Sequence, residues 1–529
     1  MSDDDRIVIP AETTVAIIVL IVGFLTLNYL PVGGFYDDGL YTILAKSLAT
    51  GHGYRFLNLP GAPAAVHYPP GYPLLLALFW KIGPAFPANV VWFKLLNVVL
   101  LGVIAWVTCR YAVHVLMLTP GVAVLATLLG TITIPILVLA TMVLSEPFFL
   151  ALLIPALILA EEMTRHRPAR REAVWLGLLS GAVVLVRSIG VMLVIAVAVL
   201  WLVRRHWRAV AWYLGSALLI VSPWLLWSAL HADDVAPVLR GAYGSYLAWF
   251  LGGLHAGGLP FVIATVRTNV HTLVLGVATS FQFSSERAVV WATAAALALM
   301  FGYGAWRVRR RAPVTLLFLA LYLALVVVWP DQPLRFVWGV WPLLMALLLV
   351  PVEALQMPAG PRQLRIAVAV VALALVPGLL RYNVRGYHGS WWESIPRSMT
   401  NRAQPAIRWA RMHTRPADVV AGESEPMLYL YAERQAVPVA TFTATQYLRN
   451  RTPQENAGYL RRILQATGAR YVLVQSLGEL DAARTLAADT AARLRLAPMD
   501  STDGVFVFRV DSAPPAPALP PAAADSTAR

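Results

Sequence analysis

Long apolar runs recur from Ala11 to Leu380, and no other feature limits the folds open to this chain as strongly. Backbone that enters the hydrocarbon of a bilayer must satisfy its own hydrogen bonds, so a run of about 20 apolar residues reads as a spanning helix. Eleven segments fit: Ala11 to Leu30, Ala88 to Val107, Gly121 to Ala140, Glu146 to Ala160, Ala173 to Val186, Ile189 to Val203, Ala209 to Leu230, Val289 to Trp306, Val314 to Trp329, Phe336 to Val352 and Ile366 to Leu380. The expected fold class is mainly α, a polytopic transmembrane helix bundle of about 11 helices, within a range of about 10 to 13. Only 13% of the 529 residues are charged and 58% are hydrophobic. An ordinary soluble domain carries roughly 25% charged residues, so a soluble globule is excluded. The first run follows Asp3, Asp4 and Asp5, exceeds the apolar core of a signal peptide and lacks a small-residue cleavage site, so it reads as a retained helix.

Positive charge then fixes the expected orientation. The chain has 42 Lys and Arg against 28 Asp and Glu, a net +14. Such a balance fits nucleic acid, acidic lipid or cytoplasmic loops, and position decides between them. The clusters are Arg165, Arg167, Arg170 and Arg171; Arg204, Arg205 and Arg208; Arg307, Arg309, Arg310 and Arg311; and Arg362 with Arg365. With residues 1–10 as a cytoplasmic N-terminus, all four fall on the cytoplasmic side. Membrane lipids are therefore expected partners and nucleic acid is not. The opposite side carries the first outer loop 31–87, then His231 to about Glu286, Pro330 to Arg335, and everything after Arg381. In a bacterial cell this describes a multi-pass protein of the cytoplasmic (inner) membrane whose C-terminal domain faces the periplasm or outer side. Gly258 to Phe283 is apolar in patches and leaves room for a re-entrant element or a further helix pair. The single Cys109 excludes a disulfide framework and a multi-cysteine zinc site.

After residue 380 the composition becomes that of a soluble α/β unit. Residues 381–511 are expected to form an extracytoplasmic α/β domain after the transmembrane domain 11–380. Its helices are expected at Gln404 to His413 and Pro426 to Ala432, and its strands at Asp418 to Ala421, Tyr471 to Val474 and Val505 to Val510. Residues 512–529 read as a disordered Pro/Ala-rich tail.

The few charges on the outer side are the candidates for chemistry. Asp37 and Asp38 lie just past the first span, and adjacent carboxylates there need a cation, a proton or a hydrogen-bonded partner. The simpler alternative is a solvated loop in which Asp38 caps a helix starting near Leu40. The same loop holds a helical Tyr41 to Leu48, a turn at Gly51 to Tyr54, and a rigid aromatic stretch from His67 and Tyr68 to Pro73. Ser145-Glu146-Pro147 opens a later helix, where Glu146 is either a cap that favours the helix dipole or a wall of the same cavity. Arg187 and Arg335 are isolated outer cations that either snorkel or clamp a phosphate through the planar guanidinium fork. His52, His67 and Tyr68 are candidates for substrate contact, with a structural role as the simpler account.

These motifs resemble a known class. Asp37-Asp38, followed by Tyr41, Ala45, Leu48, Gly51 and Gly53 in a Y-x-x-x-A-x-x-L-x-x-G-x-G pattern and a Pro-Pro-x-x-Pro stretch, is similar to the polytopic glycosyltransferases of the GT-C class. The bacterial branch related to protein O-mannosyltransferases, lipid A aminoarabinose transferases and rhizobial galacturonosyltransferases is the nearest in pattern. Ser145-Glu146-Pro147, Leu185-Val186-Arg187-Ser188, Ser222-Pro223-Trp224 and Arg335 to Pro342 also resemble it, except that Phe336 stands where tyrosine is commoner. The resemblance implies a polyprenyl-phosphate-linked sugar donor used on the outer face with inversion, and a lipid, glycan or protein acceptor. It further implies Asp37 as general base, Asp38 as a residue that orients Asp37 or the acceptor, and Arg335 or Arg187 at the donor phosphate. Glu146, Tyr41, His67 and Tyr68 would bind substrate. No cofactor is firmly implied, and Asp37, Asp38 and Glu146 would be the ligands if a divalent cation is used. The competing expectations are a transporter or flippase of lipid-linked or small substrates, and an enzyme like the O-antigen ligases and polymerases.

Overall fold

Helices follow one another through the apolar two thirds of the chain: α1 (Ala11–Leu25), α2 (Asp37–Ala49), α3 (Gly71–Ile82), α4 (Val90–His114), α5 (Pro120–Thr131), α6 (Ile134–Thr141), α7 (Glu146–Thr164), α8 (Arg170–Val186) and α9 (Val191–Val203). They continue as α10 (Trp207–Leu230), α11 (Arg240–Tyr243), α12 (Tyr246–Thr279), α13 (Arg287–Val308), α14 (Pro313–Val328), α15 (Pro333–Trp338), α16 (Trp341–Glu353) and α17 (Arg362–His388). The structure, a computed structural model, describes residues 10–353, 355, 362–489 and 494–511. The acidic start and the expected Pro/Ala-rich tail lie outside the described residues. Proline sits in the first turn of α5, α6, α7, α14 and α15, where its missing amide costs nothing.

Among the described residues, six helices are long and apolar enough to cross a membrane: α4, α7, α10, α12, α13 and α17. The α5 and α6 pair, bent by 56°, makes a seventh candidate span, and five further apolar helical segments of 10–17 residues pack among them. The chain is thus a polytopic helix bundle with a C-terminal α/β domain. Two expected spans are broken next to a proline, whose missing amide leaves a gap in the helical ladder: Gly121 to Ala140 into α5 and α6 ahead of Pro135, and Phe336 to Val352 into α15 and α16 ahead of Pro342.

The segment Gly258 to Phe283, with its room for a re-entrant element or a further helix pair, falls largely in α12, a 34-residue helix kinked at Gly258, whose φ of 59° glycine adopts without a Cβ clash. Asn269, in its second half, donates to the carbonyls of Val326, Val327 and Trp329 where α14 ends, and Gly276 abuts Leu334 in α15. That half of α12 is thereby tied to the end of α14 and to α15.

The bundle has two chemically different ends. At one, Arg204 donates to the Thr164 carbonyl, Arg311 to that of Leu116 at 3.4 Å, and buried Glu161 accepts from the Thr315 amide at 2.7 Å. These contacts gather three arginine clusters. At the other end, Asn97 donates to Met142 and Leu144, and Lys94 to Asn28. Close helix approach depends on small residues. On α8, a Cβ added at Gly177 would lie 2.0 Å from Ser216 Oγ and 2.3 Å from the Tyr213 carbonyl of α10.

The C-terminal domain comprises α18 (Trp391–His413), β1 (Val420–Gly422), α19 (Glu425–Ala432), β2 (Ala436–Pro438), α20 (Pro453–Thr467), β3 (Tyr471–Val474), α21 (Leu477–Ala488), β4 (Arg495–Thr502) and β5 (Val505–Asp511). Its sheet has the order β2-β1-β3-β5-β4, with β1 parallel to both neighbours and β5 antiparallel to both of its own. The free edge of β2 accepts part of the first loop, because the Ala436 amide donates to the Asn58 carbonyl at 2.8 Å. This seam brings the α/β domain over the end of the bundle that carries Asp37.

Gly177→Val should overpack the α8–α10 contact and cost about 1–3 kcal/mol. Thermal unfolding in detergent checks it, with Gly215→Val as control, since a Cβ at Gly215 meets nothing within 4 Å.

Candidate functional site

The first loop turns sharply into α2 at Tyr36, which takes a positive φ of 67° while the Asp37 amide donates to the Phe35 carbonyl at 2.9 Å. Asp38 holds this turn. Its carboxylate accepts from the amides of Gly33, Phe35 and Gly39 at 2.9, 3.0 and 3.0 Å. Asp38 does not cap a helix starting near Leu40 from a solvated loop: the helix begins at Asp37, and Asp38, 2% exposed, lies within its first turn. Burial pushes the Asp38 carboxyl up to about 6, with the three amides opposing and the Asp37 charge adding to the rise. A non-glycine residue at positive φ stores strain, and here it aims the neighbouring Asp37 away from the loop backbone.

Asp37 enters an ionic network drawn from four parts of the bundle. Its Oδ1 accepts from the Tyr68 hydroxyl at 2.6 Å, and its Oδ2 pairs with Arg335 Nη1 at 2.5 Å. Arg335 Nε donates to Glu146 Oε1 at 2.9 Å, and Arg187 Nη1 reaches the same oxygen at 2.7 Å. Arg187 also donates to Ser145 Oγ at 3.1 Å, which lies 3.0 Å from the Tyr41 hydroxyl. Burial works against charge on Asp37, but the Arg335 guanidinium and the Tyr68 hydroxyl outweigh it and hold the carboxyl below its usual range. Arg335 lies over the ring of Phe35 at 4.8 Å, and Arg187 over Phe336 at 5.9 Å. Arg335 Nη2 and Glu146 Oε2 are buried with no hydrogen-bond partner among the described residues.

Two cavities meet at Asp37. One, of about 360 Å³, is lined by Asp37, Tyr41, Arg187 and Arg335 together with apolar Val191, Leu247, Leu325 and Val326. The other, of about 520 Å³, lies between the bundle and the α/β domain. Asp37, His67, Tyr68, Tyr246, Trp329 and Asp331 belong to both walls. His67 packs edge-on against Tyr68 and at a tilt against Tyr246, and its Nδ1 lies 2.5 Å from the Gly244 carbonyl. Burial pulls the His67 pKa down, against the Gly244 contact and the Asp37 charge. His52 is exposed beside Thr50 and lines neither cavity.

The sequence reading missed the contribution of the α/β domain. Glu425, 1% exposed at the start of α19, accepts from the Tyr36 hydroxyl at 2.6 Å and from the Tyr243 hydroxyl at 2.8 Å. It thereby grips the strained residue next to Asp37 from across the domain seam. A signal was present in the sequence: Ser424-Glu425-Pro426 repeats the Ser145-Glu146-Pro147 tripeptide.

The donor set does not suit a divalent cation shared by Asp37, Asp38 and Glu146. Two guanidiniums occupy the cation positions of Asp37 and Glu146, and Asp38 spends its oxygens on amides. Among the described residues no group of three His, Cys, Asp or Glu side chains converges as metal ligands.

No family model matches the sequence, and no curated protein matches it. Among solved structures, the oligosaccharyltransferase of Archaeoglobus fulgidus in complex with Zn and sulfate aligns with TM-score 0.49 and 13% identity over 87% of this chain and 68% of that one. Its apo form gives 0.48 and 14% over 87% and 69%. The archaeal oligosaccharyltransferase AglB of the same organism, with an inhibitory peptide and a dolichol-phosphate, gives 0.46 and 12% over 88% and 69%.

Burial pushes the Glu425 carboxyl up to about 7, against the two tyrosine hydroxyls that favour its charge. The folded chain thus keeps a proton that the unfolded chain releases, so the Glu425 contribution to stability rises as pH falls through about 7 toward the ordinary carboxylate range. Unfolding of wild type and Glu425→Gln, followed between about pH 8 and about pH 5, should reveal a stability gain in wild type that the variant lacks. Parallel pH responses would contradict it.

Proposed function

We propose that this chain is a membrane glycosyltransferase of the GT-C class, closest in motif to its bacterial branch, that moves a sugar from a polyprenyl-phosphate donor to a hydroxyl acceptor on the outer face of the cytoplasmic membrane. The observation that carries this is the convergence of Asp37, Arg335, Glu146 and Arg187 in one ionic network, in which Arg187 and Arg335 line the smaller cavity and Asp37 lines both. One cavity joins cations to an apolar wall, as a phosphate on a prenyl chain requires. The other opens toward water and the α/β domain, as an acceptor requires.

The network is balanced, with two carboxylates against two guanidiniums. A donor phosphodiester brings a further negative charge and competes with Asp37 for Arg335, whose Nη2 stands ready as a donor. Asp37 then loses part of the countercharge that keeps its carboxyl acidic, and its affinity for a proton rises within a buried site. Donor binding in this way converts an ion-paired carboxylate into a general base.

The acceptor hydroxyl passes its proton to Asp37 as its oxygen bonds to the anomeric carbon from the face opposite the phosphate. The bond from that carbon to the phosphate oxygen breaks, and polyprenyl phosphate leaves with the electron pair. Arg335 and Arg187 stabilise the charge that grows on it. No protein acid is needed at the leaving group, because phosphate leaves as an anion. Glu146 sets the spacing of the two guanidiniums, Asp38 holds the turn that presents Asp37, and Tyr68 orients the carboxylate.

In proteoliposomes given a radiolabelled polyprenyl-phosphate hexose, Asp37→Asn should lower transfer by about 10²- to 10⁴-fold with membrane insertion unchanged. Arg335→Ala should raise the donor KM. Transfer at the wild-type rate in Asp37→Asn would remove the base, and an unaltered donor response in Arg335→Ala would remove the clamp.

A further inference from the structure

The interdomain cavity is lined by both aromatic rings and carboxyl groups. Trp249 of the bundle lies 5.4 Å from Trp329 and 6.0 Å from Phe442 of the α/β domain in centroid distance. The indole N–H of Trp249 donates to the Phe442 carbonyl at 3.1 Å, so its polar edge is occupied and its contribution to the cavity is ring surface. The α/β side adds polar groups beside apolar Pro438, Val439 and Phe442. Arg402 pairs with Glu423 at 2.8 Å, and Glu423 Oε1 also accepts from the amides of Gln475 and Ser476. Glu479 lines the same wall with a buried Oε2 that has no hydrogen-bond partner among the described residues. Asp331 and Glu425 add two more carboxyl groups to the lining.

From this we infer that the cavity is the binding site for a carbohydrate acceptor, a neutral glycan whose ring lies against the Trp249 and Trp329 surface. A pyranose has an apolar C–H face that stacks on an indole and an equatorial rim of hydroxyls that donates to carboxylates. The lining offers both surfaces to one space. The volume, about 520 Å³, falls in the range of roughly 300–1,000 Å³ where small-ligand sites lie.

The other acceptor classes fit less well. A phosphorylated lipid headgroup would meet several carboxyl groups and only Arg402 as a cation on the α/β wall. A peptide adding as a strand would need the outer edge of β2, and the Asn58 carbonyl already takes the Ala436 amide there. Through the shared residues Asp37, Tyr68 and Trp329, a hydroxyl of the stacked ring faces the wall behind which the donor phosphate would lie. This acceptor assignment rests on the transferase reading for its purpose, but binding itself requires no donor and no turnover.

The test is saturation-transfer NMR on the full chain in nanodiscs, without donor. The probes are a panel of neutral hexose di- to tetrasaccharides, a serine- and threonine-containing hexapeptide, and a phosphorylated diglucosamine lipid. Wild type should bind members of the saccharide panel, with the strongest transfer at axial ring protons. Trp249→Ala should weaken that binding about tenfold, Trp249→Phe should retain most of it, and Glu479→Gln should also weaken it.

Binding of the hexapeptide or the phosphorylated lipid in place of every saccharide would overturn the proposal. So would saccharide binding untouched in both Trp249→Ala and Glu479→Gln. Should Trp249→Ala fail to fold, Glu479→Gln alone decides. Loss of saccharide binding alongside intact donor turnover refutes the acceptor site only. Saccharide binding with no transfer in any assay refutes the transferase reading only.

Discussion

Glu146 is 1% exposed, and one of its oxygens accepts from two arginines that come from different parts of the chain. A lone buried charge is very costly, and breaking such a pair by removing one partner costs about 3–5 kcal/mol. The start of α7, the α8–α9 junction, α15 and the start of α2 are therefore tied to one another by a shared electrostatic requirement. Asp37 completes the balance through Arg335. The network is a poor route to stability alone, since apolar residues of the same volume would pack there without the desolvation cost. Its retention in a chain with so few charged residues fits a site in which the ions meet a further charge during turnover.

The α/β domain belongs to this site as much as the bundle does. Glu425 holds Tyr36, Tyr36 carries the backbone strain that presents Asp37, and the β2 edge takes up Asn58 of the same loop. Movement of the domain would thus disturb Asp37 through two separate contacts. The cavity under the domain shares the Asp37 wall, so an occupant there would press on the same residues. The loop, the bundle end and the domain form one catalytic compartment in this account.

Much of the bundle was legible because a membrane demands local apolarity that any window of residues reveals. The spans at Ala88, Ala209 and Val289 reappear as α4, α10 and α13 with shifted ends. The failures have local causes. In α12, Gly258, Pro260, Arg267 and Asn269 dilute the apolar run, and Asn269 finds its carbonyl partners only at the end of α14. β2 has three residues and β4 is interrupted at Pro498, too little pattern for a strand. Within the site, Asp37, Glu146, Arg187 and Arg335 were visible as isolated charges in apolar or outer segments, but their convergence spans up to 298 residues of sequence. Glu425 carried only the repeated Ser-Glu-Pro tripeptide as a signal, which marks a helix start and does not name Tyr36 or Tyr243 as its partners.

The most direct measurement is an experimental structure of the chain in nanodiscs with a non-transferable phosphonate analogue of a polyprenyl-phosphate sugar. The account predicts the phosphonate within hydrogen-bond distance of Arg335 and Arg187, the prenyl chain along Leu325 and Val326, and the anomeric carbon facing Asp37. An analogue held elsewhere on the bundle, with the Asp37–Arg335 pair undisturbed, would contradict it.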